Sequence, residues 1–365
     1  MTPPVALKLT GGNLASEVRT FHCLPNPPRW SPMRLGSILS VSVVIPLFDK
    51  ADHIRQTIES VLAQSRRPEE ILVIDDGSTD GGDRTVLEYA PRVSLVRRSH
   101  QGVSAARNHG IEIAKGEVIA FLDADDYWKP RFLENVAALL ERFPQACAAG
   151  SAYEFLTKPG QISQFYFVGV PGQANQGIIN YFSDILAKGA ASPLHSSGVI
   201  ARTSVLKQIG GFPAGARWGE DHDTFARLAL AGEIAFVNET LLTVNVIATN
   251  RASDSQSPRP ALPAVATIAN ALAAAVDHKR REELRKYLKR LAFISPMNNL
   301  KFGYSSLARS QLIEYRRLMG LGPRWFALML CSFLPPPLVR MLVLIRRFVQ
   351  VASGTALRIT IKLTG

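Results

Sequence analysis

Three segments with almost uninterrupted apolar runs constrain the fold of this chain most strongly. They are Val41–Phe48, Glu70–Asp76 and Val118–Leu122. Strands that are apolar at successive rather than alternate positions are typical of a parallel sheet whose two faces are both covered by helices. The stretch after the first segment places Ile54, Ile58 and Val61 on one side of a predicted helix. The sequence therefore predicts an α/β fold with a mostly parallel central sheet flanked by helices.

Acidic residues follow two of these predicted strands where each strand ends. Asp76 closes the second strand, and Asp123, Asp125 and Asp126 follow the third. Right-handed crossovers bring the carboxyl ends of parallel strands to one edge, where open α/β sheets bind ligands. Since Asp123 and Asp125 are two positions apart, a turn could direct both at one hard divalent cation. The alternative is a solvated acidic loop that caps the next helix.

Two further segments place charged residues on predicted helices. Arg107 lies on a helix predicted from about residue 103 to 115, where its guanidinium could pair bidentately with a diphosphate. Glu220 and Asp221 lie where another helix should begin. The helix dipole stabilises charged carboxylates there, and a charged carboxylate can act as a general base. Each residue also has an ordinary explanation, either a surface arginine or acids that cap a helix.

The combination of these motifs resembles family 2 glycosyltransferases of the GT-A fold. The matching segments, over about residues 41–245, are VSVVIPLFD, VIDDGSTD, GVSAARNHGI, GEVIAFLDADD, SSGVIARTSVLKQIGGF and GEDHD. Each motif alone is weakly specific, but six in the same order are not expected by chance. The resemblance implies inverting transfer of a sugar from a nucleotide donor, commonly a UDP-sugar, to a hydroxyl of a saccharide or lipid-linked saccharide. Synthesis of a cell-surface polysaccharide or glycolipid would fit that chemistry.

The resemblance also implies which residues bind the nucleotide-sugar. Pro46 and nearby residues such as Phe48 would frame the base, and Asp76 would bind uracil. Arg107 would lie near the diphosphate or the sugar, and Asp123 near the ribose and the donor sugar. These five residues are the predicted donor site.

Metal binding and catalysis are implied for three more acids. Asp125 would hold Mn²⁺ or Mg²⁺, Asp221 would be the catalytic base, and Glu220 would support it. The acceptor side would include His195 and Trp218. A histidine of this kind is more often simply a packed or surface residue. One departure from the family pattern is Asp49, where many relatives have Asn, and this leaves the role of the position open.

Composition divides the chain into four predicted parts. Residues 1–39 contain six prolines and no clear periodicity, and we expect them to be poorly ordered. Residues 40–250 are the predicted GT-A domain, residues 251–263 a linker, and residues 264–365 a basic helical region. Lys and Arg number 23 against 25 Asp and Glu before residue 251, but 19 against 5 from there on. This asymmetry predicts that the C-terminal region faces an anionic surface.

Two apolar segments near the C-terminus, Trp325–Leu334 and Leu338–Ile345, are separated by three prolines and flanked by arginines. Neither reaches the ~20 apolar residues that span a bilayer. We expect them to lie in the interface of an anionic membrane, although packing against the catalytic domain is the alternative. Three widely spaced cysteines offer no disulfide framework, which favours a reducing compartment. The predicted location is therefore cytoplasmic, at the inner face of the membrane.

Two other functions fit parts of the sequence. A sugar nucleotidyltransferase would have a related architecture, but it should carry a Gly-rich basic loop after the first strand, and Pro46–Asp52 offers none. A non-catalytic, membrane-associated relative would not need Asp125 or Asp221. A nucleic-acid partner is not expected, because the basic stretch Lys279–Arg290 has only Tyr287 for base stacking.

Overall fold

A central sheet with helices on both faces organises the chain in the computed structural model. The model describes residues 38–164, 175–184, 192–249, 251, 257–339, 341 and 361–363. Of the N-terminal segment that was predicted to be poorly ordered, residues 1–37 lie outside the described residues. Leu39, just before the first strand, is buried.

The first part of the chain alternates strands and helices as predicted. Its elements are β1 (Val41–Leu47), α1 (Ala51–Leu62), β2 (Glu70–Asp75), α2 (Gly82–Leu87), β3 (Ser94–Arg97), α3 (Val103–Ile113) and β4 (Val118–Phe121). The four strands are parallel in the order β3-β2-β1-β4. Val43 and Ile45 pack into one hydrophobic core and Val44 into another. Both faces of β1 are therefore covered, which explains why the strand is apolar at every position.

The second part of the chain extends the sheet. Its elements are β5 (Tyr127–Trp128), α4 (Phe132–Arg142), β6 (Ala146–Lys158), β7 (Gln161–Gln164), β8 (Gln176–Ile179), α5 (Tyr181–Asp184), β9 (Val199–Arg202), α6 (Thr203–Gln208), α7 (Glu220–Ala231) and β10 (Glu233–Asn245). A further strand, β11 (Ile361–Leu363), pairs with β7. Strand β9 runs antiparallel to both β4 and β6, and β10 is parallel to β6.

The α/β prediction is confirmed, but the sheet is mixed rather than mostly parallel beyond β4. The reason lies at the end of β4. The turn Ser196–Gly198, which leads into β9, is close to that end, and the Ser197 hydroxyl accepts a hydrogen bond from the Asp123 N–H at 3.2 Å. Because β9 begins where β4 ends, β9 must run in the opposite direction.

Helices from the C-terminal region pack directly against the sheet domain. They are α8 (Pro263–Ala274), α9 (His278–Ala292), α10 (Ile294–Phe302), α11 (Ser305–Glu314), α12 (Arg316–Met319) and α13 (Pro323–Cys331). Ile268 of α8 and Leu288 of α9 share a hydrophobic core with Phe121 of β4. Within the predicted linker, Arg259 and Leu262 are buried. This end of the linker therefore packs against the rest of the protein.

Two contacts fix the helices that carry the candidate site. A Cβ on Gly110 of α3 would lie 2.4 Å from Val44 Cγ1, so the absence of a side chain lets α3 lie close against β1. Thr267 of α8 donates a hydrogen bond to Asp223 of α7 at 2.5 Å. Helix α3 is thereby fixed to the parallel strands and α7 to the C-terminal helices.

Candidate active site

Arg107 lies at the centre of the candidate site, between two acids that are distant in the sequence. Its Nη2 is 2.6 Å from Asp123 Oδ1, and its Nη1 is 3.1 Å from Glu220 Oε1. The guanidinium also lies 4.9 Å from the centre of the Phe212 ring, and only 2% of the residue is exposed. Burial lowers the pKa of Arg107, but the two carboxylates outweigh this effect and raise it overall. The arginine is therefore a fixed positive charge that joins α3, the end of β4 and α7.

The three acids after β4, Asp123, Asp125 and Asp126, form the acid cluster, and each has a different partner. Asp123 pairs with Arg107 and accepts a hydrogen bond from the Ser196 hydroxyl at 3.0 Å. Burial raises the pKa of Asp123, but Arg107 more than offsets this, so the pKa lies below its usual value. Asp123 is thus held as a carboxylate.

Asp126, by contrast, is the buried member of the cluster, with 3% of the residue exposed. The Ser197 hydroxyl lies 2.5 Å from Asp126 Oδ2, and the N–H of Asn245 donates to Oδ1 at 2.9 Å. Burial, followed by the charges of Asp125 and Asp123, raises the pKa of Asp126 well above its usual value. Asp126 therefore connects the acid cluster to β9 and β10 and is not available to a ligand.

Asp125 pairs with Lys50, the residue just before α1. Lys50 Nζ is 2.7 Å from Asp125 Oδ2 and donates to the Thr249 carbonyl at 2.6 Å. Within the described residues, no group of three or more His, Cys, Asp and Glu side chains is arranged to hold a metal ion. Mg²⁺ and similar ions are, however, often held by one or two carboxylates together with substrate phosphates. A role for Asp125 in holding such a cation together with a ligand's phosphates stays a prediction.

The two acids at the start of α7 have different surroundings. Glu220 pairs with Arg107, and burial, followed by the neighbouring Asp221, raises the pKa of Glu220 despite the opposing effect of Arg107. The Asp221 carboxylate accepts the N–H of the next residue, His222, at 2.7 Å, its one hydrogen bond within the described part of the chain. Gly219, at φ +73°, supplies the left-handed turn before α7. Asp221 is therefore the less constrained of the two carboxylates.

The two predicted acceptor residues, His195 and Trp218, have different surroundings. His195 Nδ1 accepts the N–H of Ser197 at 3.2 Å, which places the proton of a neutral ring on Nε2. Burial lowers the pKa of His195 more than Asp123 and Asp221 raise it, so the ring is neutral near pH 7. Trp218 instead contacts the predicted linker, with the centre of its ring 5.2 Å from the Arg259 guanidinium carbon.

The predicted base-binding residues gather at the ends of β1 and β2. Pro46 pairs with Ile74 in the sheet, and the Phe48 ring stacks on His100 with centroids 4.2 Å apart. The carboxylate of Asp76 accepts the N–H groups of Gln101 and Gly102 at 3.1 and 2.7 Å. Asp76 therefore orders the loop before α3, and a role in reading a base stays a prediction.

Comparison with known proteins shows the family to which part of the chain belongs. The model of a family described as "Glycosyl transferase family 2" matches residues 42–210. This segment is a family 2 glycosyltransferase domain. An uncharacterised glycosyltransferase of Rickettsia typhi is 26% identical over 224 residues, which cover 61% of this chain and 67% of that protein. The uncharacterised glycosyltransferase YibD of Escherichia coli is 39% identical over 108 residues, which cover 29% of this chain and only 31% of YibD.

Solved structures show that the glycosyltransferase domain has the expected fold. The crystal structure of S. aureus TarS in complex with UDP-GlcNAc is 17% identical and has a TM-score of 0.62. The match covers 89% of this chain and 97% of that one, so it includes C-terminal helices as well as the sheet. At this identity the likeness establishes the GT-A fold and not the substrate.

Four residues of the candidate site were not singled out in the sequence. They are Lys50, His100, Ser196 and Ser197, each of which contacts a predicted site residue. The SSG sequence before β9 lay within a motif already recognised, and the proximity of its serines to the acid cluster could have been suspected. Nothing in the local sequence signals that Lys50 meets Asp125.

Proposed function

We propose that this protein is an inverting glycosyltransferase that moves a sugar from a nucleotide donor, UDP-linked, to a hydroxyl of a saccharide or lipid-linked saccharide. Cell-surface polysaccharide or glycolipid synthesis is the setting we infer. The observation that carries the proposal is the pairing of Arg107 with both Asp123 and Glu220. It brings the predicted donor-binding residues next to the predicted base, Asp221. TarS, which shares the fold, was crystallised with UDP-GlcNAc.

The residues can be assigned steps in a single displacement. Asp221 would accept the proton of the acceptor hydroxyl. At the same time the hydroxyl oxygen of the acceptor would attack the anomeric carbon, and the bond between that carbon and the diphosphate would break. Glu220 is paired with Arg107, so we assign it to positioning. One base on the side opposite the leaving group is enough for inversion, whereas retention would need a nucleophile as well. Arg107 would keep a positive charge beside the departing diphosphate.

We assign the divalent cation, Mn²⁺ or Mg²⁺, to Asp125. When bound, such an ion would neutralise charge on the leaving diphosphate. A sugar nucleotidyltransferase is less well supported, because the loop after β1 offers a single lysine, Lys50, which pairs with Asp125. A non-catalytic relative is also less well supported, because it would not need Asp125 or Asp221, and the sequence has both acids.

A ligand-binding screen tests the donor assignment. We expect UDP or a UDP-sugar with Mn²⁺ to raise the melting temperature, because a ligand at 100 times its Kd stabilises the folded state by about 2.7 kcal/mol. GDP and dTDP serve as matched controls for the base, and release of UDP on adding acceptor saccharides measures transfer. Stabilisation by GDP alone would overturn the choice of base. No response to any nucleotide or nucleotide-sugar would overturn the proposed activity.

We also propose peripheral contact with an anionic membrane at the inner, cytoplasmic face. Support comes from the apolar tail surface, which we define as the exposed residues Leu321, Phe326, Leu330, Phe333, Leu338 and Met341. One side of α13 packs on α11, where Trp325 Nε1 donates to the Leu312 carbonyl at 2.9 Å. None of the described helices is long and apolar enough to cross a membrane. Residues 342–360, which include the rest of the second apolar segment, lie outside the described residues.

Phe326→Glu combined with Leu330→Glu tests this membrane contact. The two residues are four positions apart on α13 and are 51% and 69% exposed. Burying each side chain in a membrane contributes about 1.5–3 kcal/mol, so we expect the loss of both to lower affinity for phosphatidylglycerol vesicles at least ~100-fold. The control is Leu87→Glu with Val276→Glu, both exposed but distant in sequence from this surface. Co-sedimentation measures binding, and equal pelleting of the two double variants would disprove the contact.

A further inference from the structure

Lys50 pairs with Asp125, the carboxylate to which we assign the divalent cation. Its ammonium lies 2.7 Å from Asp125 Oδ2 and 2.6 Å from the carbonyl oxygen of Thr249. The side chains of Lys50 and Asp125 are only 11% and 13% exposed. The contact thus connects the β1–α1 loop, the acid cluster and the segment after β10.

The other acids of the cluster have different partners. Asp123 is held by Arg107 and Ser196, and Asp126 by Ser197 and Asn245. Within the described residues, Lys50 is the ion-pair partner of Asp125. Asp125, the predicted metal ligand, is therefore already paired with a positive charge, which Lys50 supplies.

We propose that Lys50 and a divalent cation compete for Asp125, so that the cation binds tightly only when a nucleoside diphosphate binds with it. This inference rests on the proposed function and adds a coupling between its two ligands. A cation that enters alone must displace an ammonium held in a mostly buried ion pair. The displaced ammonium then lies near the doubly charged cation and no longer has the Asp125 carboxylate as its partner. Both changes are unfavourable in a mostly buried site, where water screens charges poorly.

A diphosphate changes this balance because it brings negative charge to both cations. Asp125 and the phosphates would then hold the metal together, and the ammonium of Lys50 would pair with the same phosphates. Metal and nucleotide should therefore strengthen each other's binding, and by thermodynamic linkage the factor must be the same in both directions. The coupling depends on the charge of Lys50.

The test measures Mn²⁺ binding to the full chain by the loss of the free Mn²⁺ signal in electron paramagnetic resonance, with and without UDP. In the unmodified protein we expect UDP to tighten Mn²⁺ binding at least ~10-fold, within the usual range of coupling. In Lys50→Met we expect Mn²⁺ alone to bind at least ~10-fold more tightly than to the unmodified protein. The effect of UDP should shrink correspondingly. Lys50→Arg, which keeps the charge, should bind Mn²⁺ alone as weakly as the unmodified protein.

Two further variants keep the test decisive. Lys50→Gln removes the charge but keeps a polar side chain, and it replaces Lys50→Met if that protein is unstable. Asp125→Asn should abolish the gain in Mn²⁺ binding when combined with either substitution. Equal Mn²⁺ affinity in the unmodified protein and both neutral variants would overturn the competition. A gain that survives Asp125→Asn would overturn it as well.

Failure of the proposed function gives a different result. If no nucleotide binds to the unmodified protein, the donor assignment is wrong. The comparison of Mn²⁺ alone in the lysine variants still shows whether Lys50 and the cation compete for Asp125.

Discussion

The Asp221→Asn variant is expected to turn over ~10²- to 10⁴-fold more slowly than the unmodified enzyme while binding the donor nearly as well. The size follows from the usual contribution of a general base, which an amide cannot replace because it does not take up the proton. The structure motivates the choice of this acid. Glu220 is paired with Arg107, whereas Asp221 accepts one backbone hydrogen bond from His222 within the described residues.

The measurement combines UDP release at saturating donor and acceptor with donor affinity by calorimetry. Loss of kcat with an unchanged donor Kd is the result for a group that acts in the transition state. Glu112→Gln is the matched control, since it makes the same change of acid to amide on α3 and its side chain is 78% exposed. Near-normal turnover of Asp221→Asn would remove this residue from the role of base. Weakened donor binding with normal turnover would place it in the donor site instead.

The Arg107→Met variant is expected to have a free energy of unfolding about 3–5 kcal/mol lower than that of the unmodified protein at neutral pH. We also expect its rate of sugar transfer to fall. Removing one partner of a buried ion pair leaves an uncompensated charge, and here two carboxylates, Asp123 and Glu220, lose their partner together. Arg107→Lys should lose less stability, because it keeps the charge but cannot contact both acids through a rigid planar group.

This loss should depend on pH with a definite sign. In the unmodified protein the pKa of Asp123 lies below its unfolded value, so its contribution is present above about pH 4 and is lost as the pH falls through the folded pKa. Without Arg107, burial should raise the pKa values of Asp123 and Glu220. The folded variant would then bind more protons than the unfolded chain, and its stability would fall as the pH rises from about 4 to 7.

Denaturant unfolding at several pH values between 4 and 7 measures this difference. We expect the deficit of Arg107→Met to be largest at pH 7 and to shrink toward pH 4. Arg55→Met is the control, because Arg55 and its partner Glu88 are both about half exposed, and it should change stability little at any pH. A deficit that does not change with pH would mean that Arg107 stabilises the fold by packing, for example against Phe212.

Much of the catalytic domain could be predicted from the sequence because its signals are local. The apolar runs of β1, β2 and β4 show that these strands are covered on both faces, and the structure places them in adjacent parallel positions. Helix α3 was expected from about residue 103 to 115 and spans Val103–Ile113. Acids at the ends of β2 and β4 lie at one edge of the sheet, because parallel strands with crossover helices end on the same side.

The antiparallel part of the sheet was harder to predict. Strand β6, with the sequence ACAAGSAYEFLTK, begins with small residues, several of them alanines, whose intrinsic propensity does not favour a strand. The direction of β9 depends on its starting point beside Asp123. The C-terminal helices were expected as helices, but their packing against α7 depends on contacts such as the one between Thr267 and Asp223. These are distant contacts, which no local pattern encodes.

By itself the sequence determined the α/β architecture, the six motifs of the family and the edge of the sheet where charged residues collect. Only the tertiary structure decided how those charges pair: Arg107 with Asp123 and Glu220, Lys50 with Asp125, and Asp126 with Ser197. The physical reason is one of range. Hydrophobic periodicity and strand ends act over a few residues, whereas an ion pair depends on the position of side chains that are up to 113 residues apart in the chain.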